Sequence, residues 1–540
     1  MSLAKRAVLA GLSLAAGLVS FAAVACGPAA SSSEHLPPGD ADKARPSLAE
    51  YDLLIHGGRL IDGSVTPART ADLLVRDGRI AFVGSVEKDT LLIRDSFDAT
   101  GLTITPGFID AHAHGDPVQD PSFHNFLAMG VTTIVLGQDG SSPDVAALEA
   151  QLAATESARP GVNVAYLVGH NTVRRESGVG FDDPGPEALV RMSELVADGL
   201  AAGAYGLSTG LEYDPGSRSG IDELVAIAGP VADAGAVVSS HLRSEDAAQV
   251  SSALAELIEQ GRRSGARVHV SHVKIVLEND TSAARRLLDA MDVARAEGIE
   301  ITADVYPYTA SFTGLSILFP EWSRPPNEYA KVVRDRRSEL ARHLRLRVES
   351  RNGPEATLFG TGPFAGRTLA AVALERDLPF EEILIELGPD GGSAAYFVMN
   401  DQVMRTLLAD PAVVISSDGS PTMLHPRGYG SFARAVGEFA VAERRLTLEE
   451  AVRKMSGATA AIYRLDDPSI SIPPRGLLRE GYSADILAFD PAEVRDVADF
   501  EDPHRLAEGM RRVWVNGALA WRDGQPASAA GHGSALRASW

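Results

Sequence analysis

Two histidines one residue apart, His112 and His114, follow a short apolar run in the stretch "TPGFIDAHAHGD", residues 105–116. On an extended backbone, residues two apart point to the same side. Both imidazoles can therefore address one point, and Asp110 and Asp116 lie beside them. The chemistry open to such a pair is metal ligation, and the alternative is two solvated loop histidines. The rest of the chain decides. Ligand-type residues recur where other apolar runs end: Asp139 after "VTTIVLGQ", His170 after "VNVAYLVG", Glu212 after "AYGLSTG", His241 after "AVVSS", His272 after "RVHVS" and Asp418 after "AVVISS". Imidazole and carboxylate together suit zinc, and a catalytic zinc site keeps one position for water. A base must then take the proton of that water, and Asp418, at the end of the last run in "ISSDGS", suits the task. His269 lies inside its run rather than at its end and reads as core or barrel exterior.

The elements that must position these residues follow from the pattern between them. Strand-length apolar runs alternate with helical stretches such as "AAQVSSALAELIEQGRRSG" from residue 105 to about 474. That alternation implies a parallel sheet, and eight such runs fit a TIM-type (β/α)8 barrel, an α/β fold whose functional face is where the strand C-termini converge. The stretch at about 319–411 is too long for one crossover and is expected to be a helical insertion between the last two barrel strands. Residues 51–104 and 475–525 read instead as short strands and hairpins, expected to pair into one small β-sandwich built from both chain ends, with 526–540 as a tail.

The chain has 540 residues with 50 Lys and Arg against 72 Asp and Glu, a net charge of −22. Such a surface repels nucleic acid and anionic lipid. A small molecule is the expected partner. Cys26 is the single cysteine, so no internal disulfide is possible. It follows Lys5, Arg6 and the apolar run 7–25, and this resembles a bacterial lipoprotein signal over 1–26, although Ala23 stands where such signals more often have Leu. Simple cleavage or an uncleaved anchor are the other readings, and all of them export the domain. Residues 27–50, rich in Ser, Pro, Ala and charge, are expected to be a flexible linker.

The placement of these residues resembles the amidohydrolase superfamily. The motifs "GFIDAHAHGD", "GVTTIVLGQDG", "GLSTGLEYDPG", "SSHLRSE", "VSHVK", "DVYPYTAS", "ISSDGS" and "HPRGYGSFARAVG" resemble its N-acyl-D-amino-acid deacylases (D-aminoacylases), in order over about 51–525. The resemblance implies that His112 and His114 hold one metal position, His241 and His272 the other, and that Asp418 is the catalytic acid/base. It implies one or two Zn2+ ions. It places Lys274, Tyr306 and Arg427 in segments that grip a substrate carboxylate. Arg243 is a further candidate for substrate binding, and His170, at a strand end, is a candidate pocket or bridging residue that could hold the carbonyl oxygen, as Glu212 is for bridge or pocket. One departure stands out: the family typically has cysteine where this chain has Asp139. A carboxylate is a harder ligand than a thiolate and admits another divalent metal. None of the lysines (Lys5, Lys43, Lys88, Lys274, Lys331, Lys454) ends the fourth run, which disfavours a carbamylated lysine as bridge and leaves Asp139 or Glu212. The implied reaction is metal-dependent hydrolysis of N-acyl-D-amino acids. Alternatives are a related amidohydrolase acting on D-dipeptides, isoaspartyl dipeptides or cyclic amides, or a non-catalytic ligand-binding lipoprotein.

Overall fold

A computed structural model describes residues 50–87 and 91–540. The signal-type segment 1–26 and nearly all of the linker lie outside the described residues.

The centre of the molecule is a TIM-type barrel. Its strands are Phe108–Asp110, Val131–Leu136, Asn163–Tyr166 continuing as Val168–Gly169, Gly206–Gly210, Val237–His241, Arg267–Val270, Ile301–Val305 and Val413–Ile415. Neighbours pair in parallel through two runs of sheet. A parallel bridge between Ala113 and Gly419 links the first strand's continuation to the last. Strands such as Val131–Leu136 are buried along their whole length, because helices cover the barrel's outside and side chains fill its inside. This is why the runs read as continuously apolar rather than alternating.

Strands from both chain ends share a second region. A seven-stranded sheet sets Ile486–Phe489 between Thr103–Pro106 and Met510–Val515, so residues far apart in sequence hydrogen-bond directly. A four-stranded sheet built around Glu50–His56 and Asp72–Arg76 packs Leu53, Ile55, Leu73 and Val75 with Ile104, Ile486 and Trp514 in one core.

The insertion between the last two barrel strands is not purely helical. Beside the helices Tyr329–Glu349, Leu369–Arg376 and Phe380–Leu387 it forms a three-stranded antiparallel sheet, with Ser393–Tyr396 between Ser311–Gly314 and Thr357–Phe359. Three- and four-residue strands are too short to show a period of two, so they were not legible as strands. The unit has its own core around Leu318, Leu340, Leu344, Phe359, Leu369 and Ile383. The last residues are no loose tail. Ser534 and Leu536 bond to Val164, Ala538 N donates to Gly203 O, and Trp540 Nε1 donates to Ala204 O at 2.7 Å.

Candidate metal centre

The site is assembled at the strand C-termini by backbone bonds between distant segments. His114 N donates to Gly419 O and Asp418 N donates to His112 O, each at 2.8 Å, which locks the His-x-His segment to the end of the last strand. Two buried acids reinforce this from below. Asp110 accepts from His112 N, Ser417 N and Ser417 Oγ, and burial pushes its carboxyl up to about 7. Asp304 accepts from His269 Nε2 at 2.8 Å, from His272 N at 3.0 Å and from Ser416 Oγ. An acid inside an apolar strand ("FID", "ITADV") was the signal that could have found both. His269 is thus a fully buried core residue. Asp139, His272 and Asp418 have φ of 55°, 36° and 48°. Non-glycine residues held in the left-handed region cost energy, and such strain concentrates at functional sites.

Asp139 lies at the middle. Its Oδ1 is 3.4 Å from His112 Nε2, 3.6 Å from His241 Nδ1 and 3.3 Å from His272 Nε2, and its Oδ2 is 3.5 Å from His114 Nε2. His114 Nε2 is 3.2 Å from Asp418 Oδ1, and His241 Nδ1 is 3.0 Å from His272 Nε2. Two ligand groups result, His112–His114–Asp139–Asp418 and Asp139–His241–His272, sharing Asp139. A divalent metal fits the arrangement. His112 is fully buried with no hydrogen-bond partner on either ring nitrogen, a costly state that ligation removes. Burial also holds its pKa below the usual histidine value, so the neutral, ligating form is favoured. Burial opposes charge on His241 too, but Glu245, Asp139 and Glu212 outweigh it and raise that pKa to about 10. The same carboxylates attract a metal cation in the proton's place. Burial opposes charge on Asp139, but its contacts with His112, His241 and His272 outweigh it and hold its carboxyl well below the usual range.

Several expected roles are corrected by the geometry. Of the two roles open to Glu212, bridge or pocket carboxylate, the geometry gives the second: it lines the cavity, and its Oε2 lies 3.1 Å from His241 Nε2, on the imidazole edge that faces away from Asp139. Glu212, His241 and Glu245 form a third cluster of ligand atoms, but the Lys274 ammonium already bonds Glu245 there. His170 is away from the cavity, 2.7 Å from Glu223, which also takes Arg174; the run's end placed it near the face, but this buried ion pair claims it. Arg243 spends its donors on Glu256 and the carbonyls of Ser217 and Ser219. Tyr306 is buried beneath the cations, its ring 4.6 Å from the Arg427 guanidinium and 5.7 Å from Lys274 Nζ, so it supports rather than touches a substrate.

Lys274 and Arg427 line a cavity of about 780 Å³ together with His114, Asp139, His272 and Asp418. That is room for an amino-acid-sized ligand. Arg427 is 1% exposed. Its Nη1 is 2.9 Å from Asp418 Oδ2 but out of line for a hydrogen bond, and its Nε has no acceptor. A buried guanidinium with spare donors at a cavity wall is a receptor for a carboxylate. Glu245, also in the lining, was missed by the sequence reading; the only hint is a carboxylate four residues after His241 in "SSHLRSE".

A barrel with this sandwich and a carboxylate-bridged histidine cluster at its strand ends defines a metal-dependent hydrolase of the amidohydrolase type. The comparisons agree. Residues 383–520 match a model of the amidohydrolase family. The chain is 34% identical to an N-acyl-D-aspartate deacylase of Alcaligenes xylosoxydans xylosoxydans over 90% of this chain and 95% of that one. It is 32% identical to a D-aminoacylase of the same organism over 88% and 95%. A crystal structure of N-acyl-D-glutamate deacylase from Bordetella bronchiseptica, complexed with zinc and a phosphonate mimic of the tetrahedral intermediate, superposes with a TM-score of 0.77 at 30% identity, covering 90% of this chain and all of that one. The chain belongs to the N-acyl-D-amino-acid deacylase (D-aminoacylase) family of amidohydrolases.

Proposed function

We propose that this protein hydrolyses the N-acyl amide bond of N-acyl-D-amino acids, giving a carboxylate and a D-amino acid, with zinc held by His112, His114, Asp139, His241 and His272. The observation that carries the reading is the conjunction of the Asp139-centred ligand cluster with the spare donors of buried Arg427 in one cavity. Such a site meets an amide and a free carboxylate at once, which a cyclic imide lacks. Zinc supplies Lewis-acid polarisation of the amide carbonyl and lowers the pKa of water. Arg427 and Lys274 hold the substrate carboxylate by charge-assisted hydrogen bonds. Tyr306 stacks beneath both cations and keeps them aimed at the cavity. Asp418 takes the proton of the attacking water on a carboxylate oxygen and returns it to the leaving nitrogen. Arg427 beside Asp418, with His272 and His114, overrides burial and depresses its pKa, so the carboxylate stands ionised with its oxygens open to a proton.

Turnover of N-acetyl-D-amino acids by zinc-loaded protein, beside their L-enantiomers, tests the reading. Hydrolysis of the D series alone is expected; absence of turnover on every D compound would sink it.

We infer further that the domain is exported and anchored to the cell envelope through acylated Cys26, which the basic start, the apolar run 7–25 and the following Gly27 support. Two or more fatty chains give lasting attachment. Cys26→Ser is expected to move the protein from the membrane fraction to the soluble one, and unchanged membrane association would point to an uncleaved anchor.

A further inference from the structure

Glu245, in the loop after the fifth barrel strand, serves two neighbours with one oxygen. Its Oε1 accepts from Lys274 Nζ at 2.5 Å and lies 3.1 Å from His272 Nδ1. Lys274 Nζ is itself 2.8 Å from that Nδ1. The other ring nitrogen of His272 faces Asp139 and His241. When Nε2 offers its lone pair to a metal there, the imidazole proton sits on Nδ1. An ammonium has donors only, so Nδ1–H and Lys274 cannot bond each other, and an acceptor between them is required. Glu245 is that acceptor. All three side chains are buried, which makes an unmet donor expensive. The backbone holds the arrangement independently of any ligand. Val276 N donates to Glu245 O at 2.8 Å and Ala247 N donates to Val276 O at 3.0 Å, tying the loop of Glu245 to the loop of Lys274.

We propose, resting on the deacylase reading, that Glu245 is a positioning residue shared by the metal and the substrate carboxylate. It fixes the tautomer and direction of His272 and, with the same oxygen, holds the Lys274 ammonium at the cavity wall. A purely structural carboxylate would not tie these two functions together.

Glu245→Gln tests the coupling, because it removes the negative charge from the acceptor that both donors share and leaves a weaker, neutral oxygen in its place. Two quantities are read: zinc affinity of the stripped protein by chelator competition, and the ratio of kcat/KM for N-acetyl-D-methionine over its carboxamide, which lacks the carboxylate. E245Q is expected to lose about ten- to a hundred-fold in zinc affinity and about tenfold or more of the carboxylate preference. Lys274→Met is expected to lose the preference while keeping wild-type zinc affinity. Should E245Q fold poorly, Glu245→Asp, which keeps the charge but withdraws the oxygens, is to show both losses in weaker form. Wild-type zinc affinity in these Glu245 variants, or an unchanged carboxylate preference, overturns the proposal. If the wild type hydrolyses neither acid nor amide, the deacylase reading itself fails, and the zinc titration alone then decides whether Glu245 orients His272.

Discussion

Asp418 carries the sharpest claim about a single residue. It sits between His114 and Arg427 with its backbone held by His112 O, so its side chain has little freedom. Asp418→Asn is nearly isosteric and should keep both the fold and the metal. Asparagine cannot accept the proton, and general acid–base catalysis contributes about a hundred- to ten-thousand-fold. The loss is expected in kcat more than in KM, since proton transfer belongs to the transition state. Steady-state kinetics with zinc analysis of the same sample checks it; near-normal kcat would remove Asp418 from the mechanism. His241 and His170 both close apolar runs, yet one points into the cluster and the other into Glu223. Nothing in either run distinguishes them, because the partner of His170 lies on a helix 53 residues away.

Among the elements, the last three barrel strands depend on one carboxylate. Asp304, in the seventh strand, bonds His269 of the sixth, the backbone of His272 just beyond it, and Ser416 at the end of the eighth. Burial disfavours its charge, but the bond from His269 more than compensates and lowers its pKa. Asp304→Ala leaves these donors buried and unmet. Removing one partner of a buried pair costs about 3–5 kcal/mol. A matching fall in the urea midpoint is expected, together with weaker zinc binding because His272 loses its backbone anchor. An unchanged midpoint would mean that water replaces the carboxylate and that the three strands are held by packing alone. The helices of the insertion were legible from length and spacing, whereas its three short strands take their pairing from residues as far apart as Ser311 and Tyr396.

At the scale of the whole molecule, the chain's last residues brace the barrel. Leu536 and Ala538 are buried against it and Trp540 packs beside them, at the N-terminal ends of the third and fourth strands. That is the end of the barrel away from the metal cluster. Deleting residues 533–540 is therefore expected to lower stability by about 2–5 kcal/mol, from lost apolar burial and hydrogen bonds. The kcat of the folded fraction should stay near wild type. Denaturation midpoints and active-site-normalised rates measure the two separately; a large fall in kcat with no loss of stability would contradict the bracing role.

The sequence by itself determined the class of fold, the strand order of the ligand-type residues and the reaction those residues serve. Continuous apolar runs separated by helical stretches admit few architectures, and a parallel barrel sends every strand end to one face. His112, His114, Asp139, His241, His272 and Asp418 could be named because each is a ligand-type residue at or just beyond the end of such a run. Only the tertiary structure decided which face of each imidazole meets the cluster, and hence that Asp139 rather than Glu212 lies between the two groups. It also decided that Arg243 and His170 are spent on Glu256 and Glu223, that Tyr306 lies beneath the cations, and that Glu245 ties Lys274 to His272. The physical reason is the range of the information. Apolar periodicity is local and survives in a string of letters, whereas a hydrogen-bond partner for a buried polar group is chosen across the fold, by whichever distant side chain arrives within 3 Å or so.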